Sequence, residues 1–346
     1  MTTTSSPSSP TRRGLLYGSA ALALVTACSS EKKPAPAAGT AASGSGPQQG
    51  KKVIFVVHDK NPFFAPVEAG FKDFGALMGW TTQFIGPAQQ DVQKTVELQQ
   101  SAINAKPAGL ILTRVDERSF DDNIRRALGA GTKVVLSNVA SGGYDKLGVG
   151  FVGQDFVPAG EICGREICAV ARKQTNRTDG KIVLGNGAPG NSALEQRIEG
   201  MKRGIAAYNK ENGTAYEGLD FVSSFDQSQA IGKIDALHTR LGDQIVGWSM
   251  AGIDHQYVAA WVKQKNIVTR FGIGGFDLVG PVLEGIRDGS IHFSLGQNPY
   301  AQGWIAAALI AMEIDPGFPA KTYDTGAEVV DAGNIQAVLK RESRFI

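Results

Sequence analysis

From residue 53 onward, short apolar runs alternate with stretches whose apolar side chains recur at helical spacing. The runs at 53–57, 81–85, 109–113, 133–137 and 148–152 have strand length. Between them, Phe64, Val67, Phe71, Phe74 and Met78 fall on one helical face, as do Val92, Val96, Gln99 and Ile103, and then Phe120, Ile124 and Leu128. Runs that are apolar throughout suit strands buried on both sides, and the regular β-α order predicts a parallel sheet covered by helices. The pattern then restarts, with strands expected at 181–185, 219–224, 244–248, 271–275 and 291–295 and helices at 156–173, 191–210, 228–241, 254–264 and 278–288. A helix at 300–313, a loop containing Pro316, Gly317 and Pro319, and a strand at 327–330 are too little for a third domain. They are expected to cross back and complete the earlier units.

The predicted fold class is therefore α/β: two similar lobes, each a parallel sheet flanked by helices, joined by several hinge strands. The expected division is 51–154 plus 298–324 for the first lobe and 155–297 plus 325–346 for the second. Roughly 300 residues are more than one core usually holds, which agrees with two lobes.

The first 50 residues follow another pattern. Arg12-Arg13 precedes a short apolar, Ala-rich run ending at Val25-Thr26-Ala27-Cys28, too short to span a bilayer. Residues 1–27 read as a signal peptide, possible export through the twin-arginine route included, with Val-Thr-Ala-Cys resembling a lipobox. Cys28 would then be the lipidated N-terminus, and the Ser, Gly, Ala, Pro, Lys and Gln of 28–50 a flexible tether. The expected location is the outer face of the cytoplasmic membrane, held by lipid alone.

Charge and chemistry narrow the choice. The formal net charge is +2, and no basic run is interleaved with aromatics, so a nucleic acid is not an expected partner. Cys163 and Cys168 stand about 140° apart around a helix, which favours two separately packed thiols over a bridge. Gly185-Asn-Gly-Ala-Pro-Gly190 matches a dinucleotide fingerprint, but no acidic residue ends the next strand at the required distance, and Pro189 removes an amide. There is no G-x-S-x-G elbow, no phosphate loop, and no Cys or His pair at zinc spacing. The chain is read as no enzyme, with no cofactor and no metal. His238 and His255 are expected on helix surfaces.

What remains is a set of hydrogen-bonding side chains placed just after strands. Asn61, Asn138, Asp254, Asp277 and Gln297, with Arg197 near a helix start, are the groups a polyhydroxylated ligand needs. Phe63, Phe64 and Phe225 supply ring faces for the C–H side of a sugar, and His58 lies in the same turn as Asn61. Asp226 reads equally as a helix cap.

Their order along the chain resembles the periplasmic sugar-binding proteins of ABC transporters, the ribose-binding group in particular. The resemblance rests on Asn61-Pro-Phe-Phe64, Val152-Gly-Gln-Asp-Phe-Val-Pro-Ala-Gly160, Ser192-Ala193 leading to Arg197 and Glu199-Gly200, Phe225-Asp226, Gly275-Phe-Asp277, and Gln297 with Pro299, Gln302 and Gly303. It implies the type I periplasmic binding protein fold and sugar contacts from Asn61, Phe63, Phe64, Asn138, Arg197, Phe225, Asp254, Asp277 and Gln297, with Phe64 partly in the core. Asn138-Val139 replaces the group's Asp-Arg pair, and a longer loop, Ser249 to Asp254, replaces its Asn-Asp pair; both changes argue against ribose itself. The implied role is capture of a sugar or polyol by a monomer and delivery to an ABC permease. The alternative is a co-receptor for a chemoreceptor or sensor kinase.

Overall fold

The computed structural model describes residues 48–345 except Thr269, so Cys28 and nearly all of the segments read above as signal peptide and tether lie outside the described residues. Two six-stranded sheets organise the rest. The first holds β1 (Lys52–Val56), β2 (Thr81–Ile85), β3 (Gly109–Leu112), β4 (Lys133–Asn138) and β5 (Gly150–Gly153) in the order β2-β1-β3-β4-β5, closed by the short β11 (Tyr323–Asp324), all parallel. The second repeats that order with β6 (Asp179–Asn186), β7 (Ala215–Val222), β8 (Ile245–Met250), β9 (Gly272–Phe276) and β10 (Phe293–Gly296), and ends on an antiparallel β12 (Glu328–Asp331). In each sheet the strand order reverses beside the first strand, and such switch points put loops with diverging paths at the carboxyl ends.

The helices follow from the apolar spacing. In α1 (Phe64–Leu77), Phe64, Val67, Phe71 and Phe74 are buried, Phe71 against Phe55 and Phe84 and Phe74 against Trp80 and Trp304. Helices α2 (Val92–Asn104) and α3 (Asp121–Gly129) complete the first lobe's cover, and α6 (Gln227–Leu241), α7 (His255–Lys265) and α8 (Gly280–Asp288) cover the second sheet. The chain changes sheets three times: at Gly153–Asp155, at Gln297–Asn298, and between β11 and β12.

Two helices pack away from the strand they follow. Helix α4 (Phe156–Thr175) leaves the first sheet and packs on α5 (Ser192–Asn212), β8 and β9, whereas α9 (Pro299–Ile314) leaves the second and packs on α1, β3 and β4. Glycines permit both approaches: a Cβ at Gly200 would overlap the Val157 carbonyl, and one at Gly303 would overlap the Val67 carbonyl. The side-chain-free surface lets the backbones touch.

Some elements differ from expectation. Strand β7 begins at Ala215, ahead of residue 219, because it lies at the sheet edge and exposes Glu217 and Asp220, which reach Lys181 and Lys202 at 2.8 and 2.7 Å. Strand β11 and the terminal α10 (Ile335–Glu342) were not anticipated, being short and burying few side chains. His255 is fully buried, its Nδ1 3.1 Å from the Gly252 carbonyl, so it does not lie on a helix surface, whereas His238 is half-buried against Trp261 and Phe271. Cys163 and Cys168 are free and buried, and burial pushes both thiols up to about 12. No helix among the described residues is long and apolar enough to cross a membrane.

Candidate ligand-binding site

Between the carboxyl ends of the two sheets lies a narrow cavity of about 50 Å³. Its wall includes His58, Asn61, Phe63, Phe64, Asn138, Arg197, Phe225, Asp277 and Gln297, nine residues from six separate stretches of the chain and from both lobes.

The first lobe's share is built by the turn after β1. Buried Asp59 accepts from the Asn61 backbone N–H at 2.8 Å and from Asn61 Nδ2 at 3.1 Å, while Asn61 Oδ1 accepts from the Phe63 N–H at 2.9 Å. This ladder fixes the entry into α1. Phe63 and Phe64 meet edge to face at 5.1 Å, and His58 meets Phe64 at 5.3 Å. Burial holds the His58 imidazole below its ordinary pKa, against the pull of Asp59, and its Nδ1 has no protein partner. Phe64 is the more deeply buried of the pair, yet both rings reach the cavity.

In the second lobe, Arg197 is 2% exposed. Its guanidinium donates from Nε and Nη2 to Gln154 Oε1 at 3.1 and 2.9 Å and from Nη1 to the Ala251 carbonyl at 2.8 Å, and Nη1 lies 3.7 Å from Asp277 Oδ2. The Phe276 ring centre is 4.0 Å from the guanidinium carbon and that of Phe156 is 5.4 Å away. Burial lowers the Arg197 pKa and raises that of Asp277, and each partner opposes the other's shift. A desolvated guanidinium held by one carboxylate, one amide and one carbonyl is a rigid donor for a hydroxyl.

Asn138 and Asp277 occupy equivalent places, at the ends of the fourth strands of the two sheets, and both have positive φ, 66° and 75°. Asn and Asp tolerate that region better than other side chains. The left-handed turn brings each side chain to the cavity wall. Phe225 leans on Gly187 and Gly252, where a Cβ would crowd its ring, and its carbonyl accepts from Tyr257 Oη at 2.8 Å. Gly187 belongs to the fingerprint-like loop, so that glycine makes room for an aromatic ring. Asp226 caps α6, accepting from the Gln229 N–H at 2.9 Å.

Asp254 is the one expected contact that does not line the cavity. The wall there is Gly252 and Ile253, and Asp254 is fully buried behind them with neither carboxylate oxygen bonded. Burial, opposed by Ser223 and nearby amides, raises its pKa to about 7. In the loop after β8 it is Ile253, not this carboxylate, that stands on the wall.

Residues 53–317 match the periplasmic binding protein domain. The chain belongs to that family. Among relatives of this periplasmic binding protein, a xylose/arabinose-binding protein of Sulfolobus acidocaldarius is 24% identical over 301 residues, covering 83% of this chain and 73% of the relative. A solute-binding protein of an ABC transporter from Burkholderia graminis, solved with D-arabinose, superposes with a TM-score of 0.75 at 20% identity, covering 84% of this chain and 98% of the other. A carbohydrate transporter protein from Acidothermus cellulolyticus, solved with myo-inositol, gives 0.73 at 23% identity, covering 86% and 99%. These likenesses establish the two-lobed fold.

Sequence reasoning named Gln154 and Gln302 only as family markers and gave them no role, yet both are buried at the hinge, one on Arg197 and the other on Asn138. A signal was present: Gly153-Gln154 after β5 recurs as Gly296-Gln297 after β10, at equivalent positions of the repeat. Asn191, which also lines the cavity, caps α5 through the Ala193 N–H at 3.1 Å and donates to Gln90 of the opposite lobe at 2.9 Å.

Proposed function

We propose that this protein is an extracytoplasmic receptor that encloses one sugar or polyol between its lobes and delivers it to an ABC permease. In this reading it is exported, lipidated at Cys28 and tethered by residues 28–50. The observation that carries it is the composition of one interlobe cavity, where a buried Arg197–Asp277 pair, Asn61, Asn138 and Gln297 face Phe63, Phe64 and Phe225. Charged and amide groups bond hydroxyls, and ring faces cover the C–H side of the same molecule. Asp254 is left out of the contact set, and Ile253 presents carbon on that side.

Ligand contacts with both lobes favour the closed arrangement by hinge motion. The names of the relatives set the panel for the test: D-xylose, L- and D-arabinose, D-ribose, hexoses and myo-inositol in a thermal-shift screen. A ligand at about 100 times its dissociation constant adds about 2.7 kcal/mol of stability. One member is expected to raise the melting temperature, with ribose weak. No shift from any carbohydrate or polyol overturns the reading.

A further inference from the structure

The last helix leaves a tail that crosses from one lobe to the other. Helix α10 belongs to the second lobe: it packs on α8 and β12, buries Ile335 and Val338, and clamps Glu328 of β12 with Arg341 donors at 3.0 and 2.7 Å. A turn then ends it, the Phe345 N–H donating to the Glu342 carbonyl at 2.8 Å. Beyond α10 the side chains land on the first lobe. Arg344 Nη2 donates to Asp73 Oδ2 of α1 at 2.7 Å, the same oxygen that accepts from Tyr300 Oη of α9 at 3.0 Å. The Arg344 guanidinium carbon lies 5.8 Å from the Tyr300 ring centre, and the centre of the Phe345 ring lies 5.9 Å from it. Phe345 thereby extends a ladder of first-lobe aromatics, in which Tyr300 stacks on Trp304 at 6.1 Å and Trp304 meets Phe74 at 5.3 Å.

The position of the tail gives it leverage. Beside it a slot of about 260 Å³ runs between the lobes, with Phe63 and Pro66 at the start of α1 on one side, Val279 and Pro281 at the start of α8 on the other, and Phe345 in its wall. Phe63 also lines the main cavity, so slot and cavity share that ring. The lobes are closed on each other, the Ser192 N–H reaching the Val115 carbonyl at 3.1 Å. The backbone crossings can absorb a rotation of one lobe on the other through their dihedrals. The tail joins the lobes by side chains alone, and those contacts must yield when the lobes rotate apart.

We propose that Arg344 and Phe345 form a clasp that holds the second lobe to the first and biases the ligand-free protein toward its closed arrangement. An exposed ion pair and one aromatic contact are each worth little, so the clasp tips the equilibrium and does not lock it.

The test reads the distance between spin labels at K94C on α2 and S228C on α6, exposed positions of opposite lobes, by pulsed dipolar spectroscopy of the ligand-free full chain carrying C28S; Cys163 and Cys168 are buried and stay unlabelled. Ending the chain after Ser343 keeps α10 whole and is expected to raise the ratio of long to short distances about 3- to 10-fold. R344E, which sets two carboxylates together, is expected to do the same, and D73K added to R344E to bring the short distance back. Raising the salt to about 1 M should open the intact chain part of the way and leave the shortened chain unchanged. Identical distributions for the full and shortened chains overturn the clasp. So does a D73K/R344E pair no shorter than R344E alone, which would assign the opening to damage in the tail. Because no ligand enters, a failed carbohydrate screen leaves this result standing, and a failed clasp leaves the screen standing.

Discussion

At Arg197 the requirements of the fold and of the site meet in one side chain. Its guanidinium serves Gln154, Ala251 and Asp277, so truncation removes a donor from the cavity wall and strands a buried carboxylate. Breaking a buried pair from one side costs about 3–5 kcal/mol. Arg197→Ala is expected to abolish binding of whichever carbohydrate the screen identifies and also to lower stability by about that amount in urea unfolding. A loss of affinity with unchanged stability would show the pair to be unimportant to the fold. The neighbours Asp254 and His255 oppose each other in pH. His255, held neutral with a pKa of about 4 by burial, is protonated first in the unfolded chain as pH falls below its ordinary 6.5, so its contribution to stability is lost between about 6.5 and 4. Asp254, raised to about 7, holds a proton in the fold that the unfolded chain releases above its ordinary 3.8, so its penalty grows from about pH 4 to 7. Asp254→Asn should therefore stabilise the protein at pH 8 by on the order of 1–4 kcal/mol and hardly at all at pH 4. Melting temperatures across that range read the difference; a uniform shift at every pH contradicts it.

Among the elements, the α4–α5 and α1–α9 pairs decide how each crossing helix docks. Gly200 faces the Val157 carbonyl and Gly160 across the helix interface, whereas Gly232 on α6 is exposed with nothing in reach. Gly200→Ala should cost about 1–3 kcal/mol through backbone displacement. Gly232→Ala should add about 0.5–1 kcal/mol through helix propensity. Equilibrium denaturation of both variants separates packing from propensity, and equal effects would contradict the interpretation. The helix positions were visible in the sequence because apolar residues at i, i+3 and i+4 are required wherever a helix covers a sheet. The short β11 and the polar first half of β7 were not, because an edge or a two-residue strand buries too little to leave a pattern.

For the whole molecule, the start of α5 joins the lobes on the far side of the cavity. The Ser192 N–H donates to the Val115 carbonyl at 3.1 Å, Ser192 Oγ meets Ser141 Oγ at 2.5 Å, and Asn191 reaches Gln90. Ser141 is itself held by the Arg114 carbonyl, and the Arg114 guanidinium bonds the carbonyls of Ala140, Gly142 and Glu117. Pro is accepted at the first helical position, and Asn191 already has the extended conformation that a following Pro requires. Ser192→Pro should therefore keep α5 while removing the N–H and the hydroxyl. The expected outcomes are a larger radius of gyration in ligand-free solution scattering and about 3- to 30-fold weaker ligand binding from the lost hydrogen bonds. An unchanged radius with unchanged affinity would show that these bonds do not influence closure.

The sequence by itself determined the α/β alternation, its repetition and the return of the chain to earlier lobes, since each is written in apolar spacing that any covered parallel sheet must have. It also named, one by one, nine side chains that share a cavity wall, because Asn61, Asn138, Phe225, Asp277 and Gln297 stand where strands end. Tertiary structure alone decided that Asp254 lies behind the wall, that His255 is buried, and that Arg197 is sandwiched by Phe156 and Phe276. The same is true of the opening stretch from Val53 to Phe64: its strand and its helix entry are local, but the cavity it faces exists only where the second sheet's loops close over it. The hydrogen-bonded chain of amides at the hinge was the least legible of all. It links Asn138 through Gln302 and Gln297 to a carboxylate over a hundred residues away, and such a link has no period or spacing to betray it.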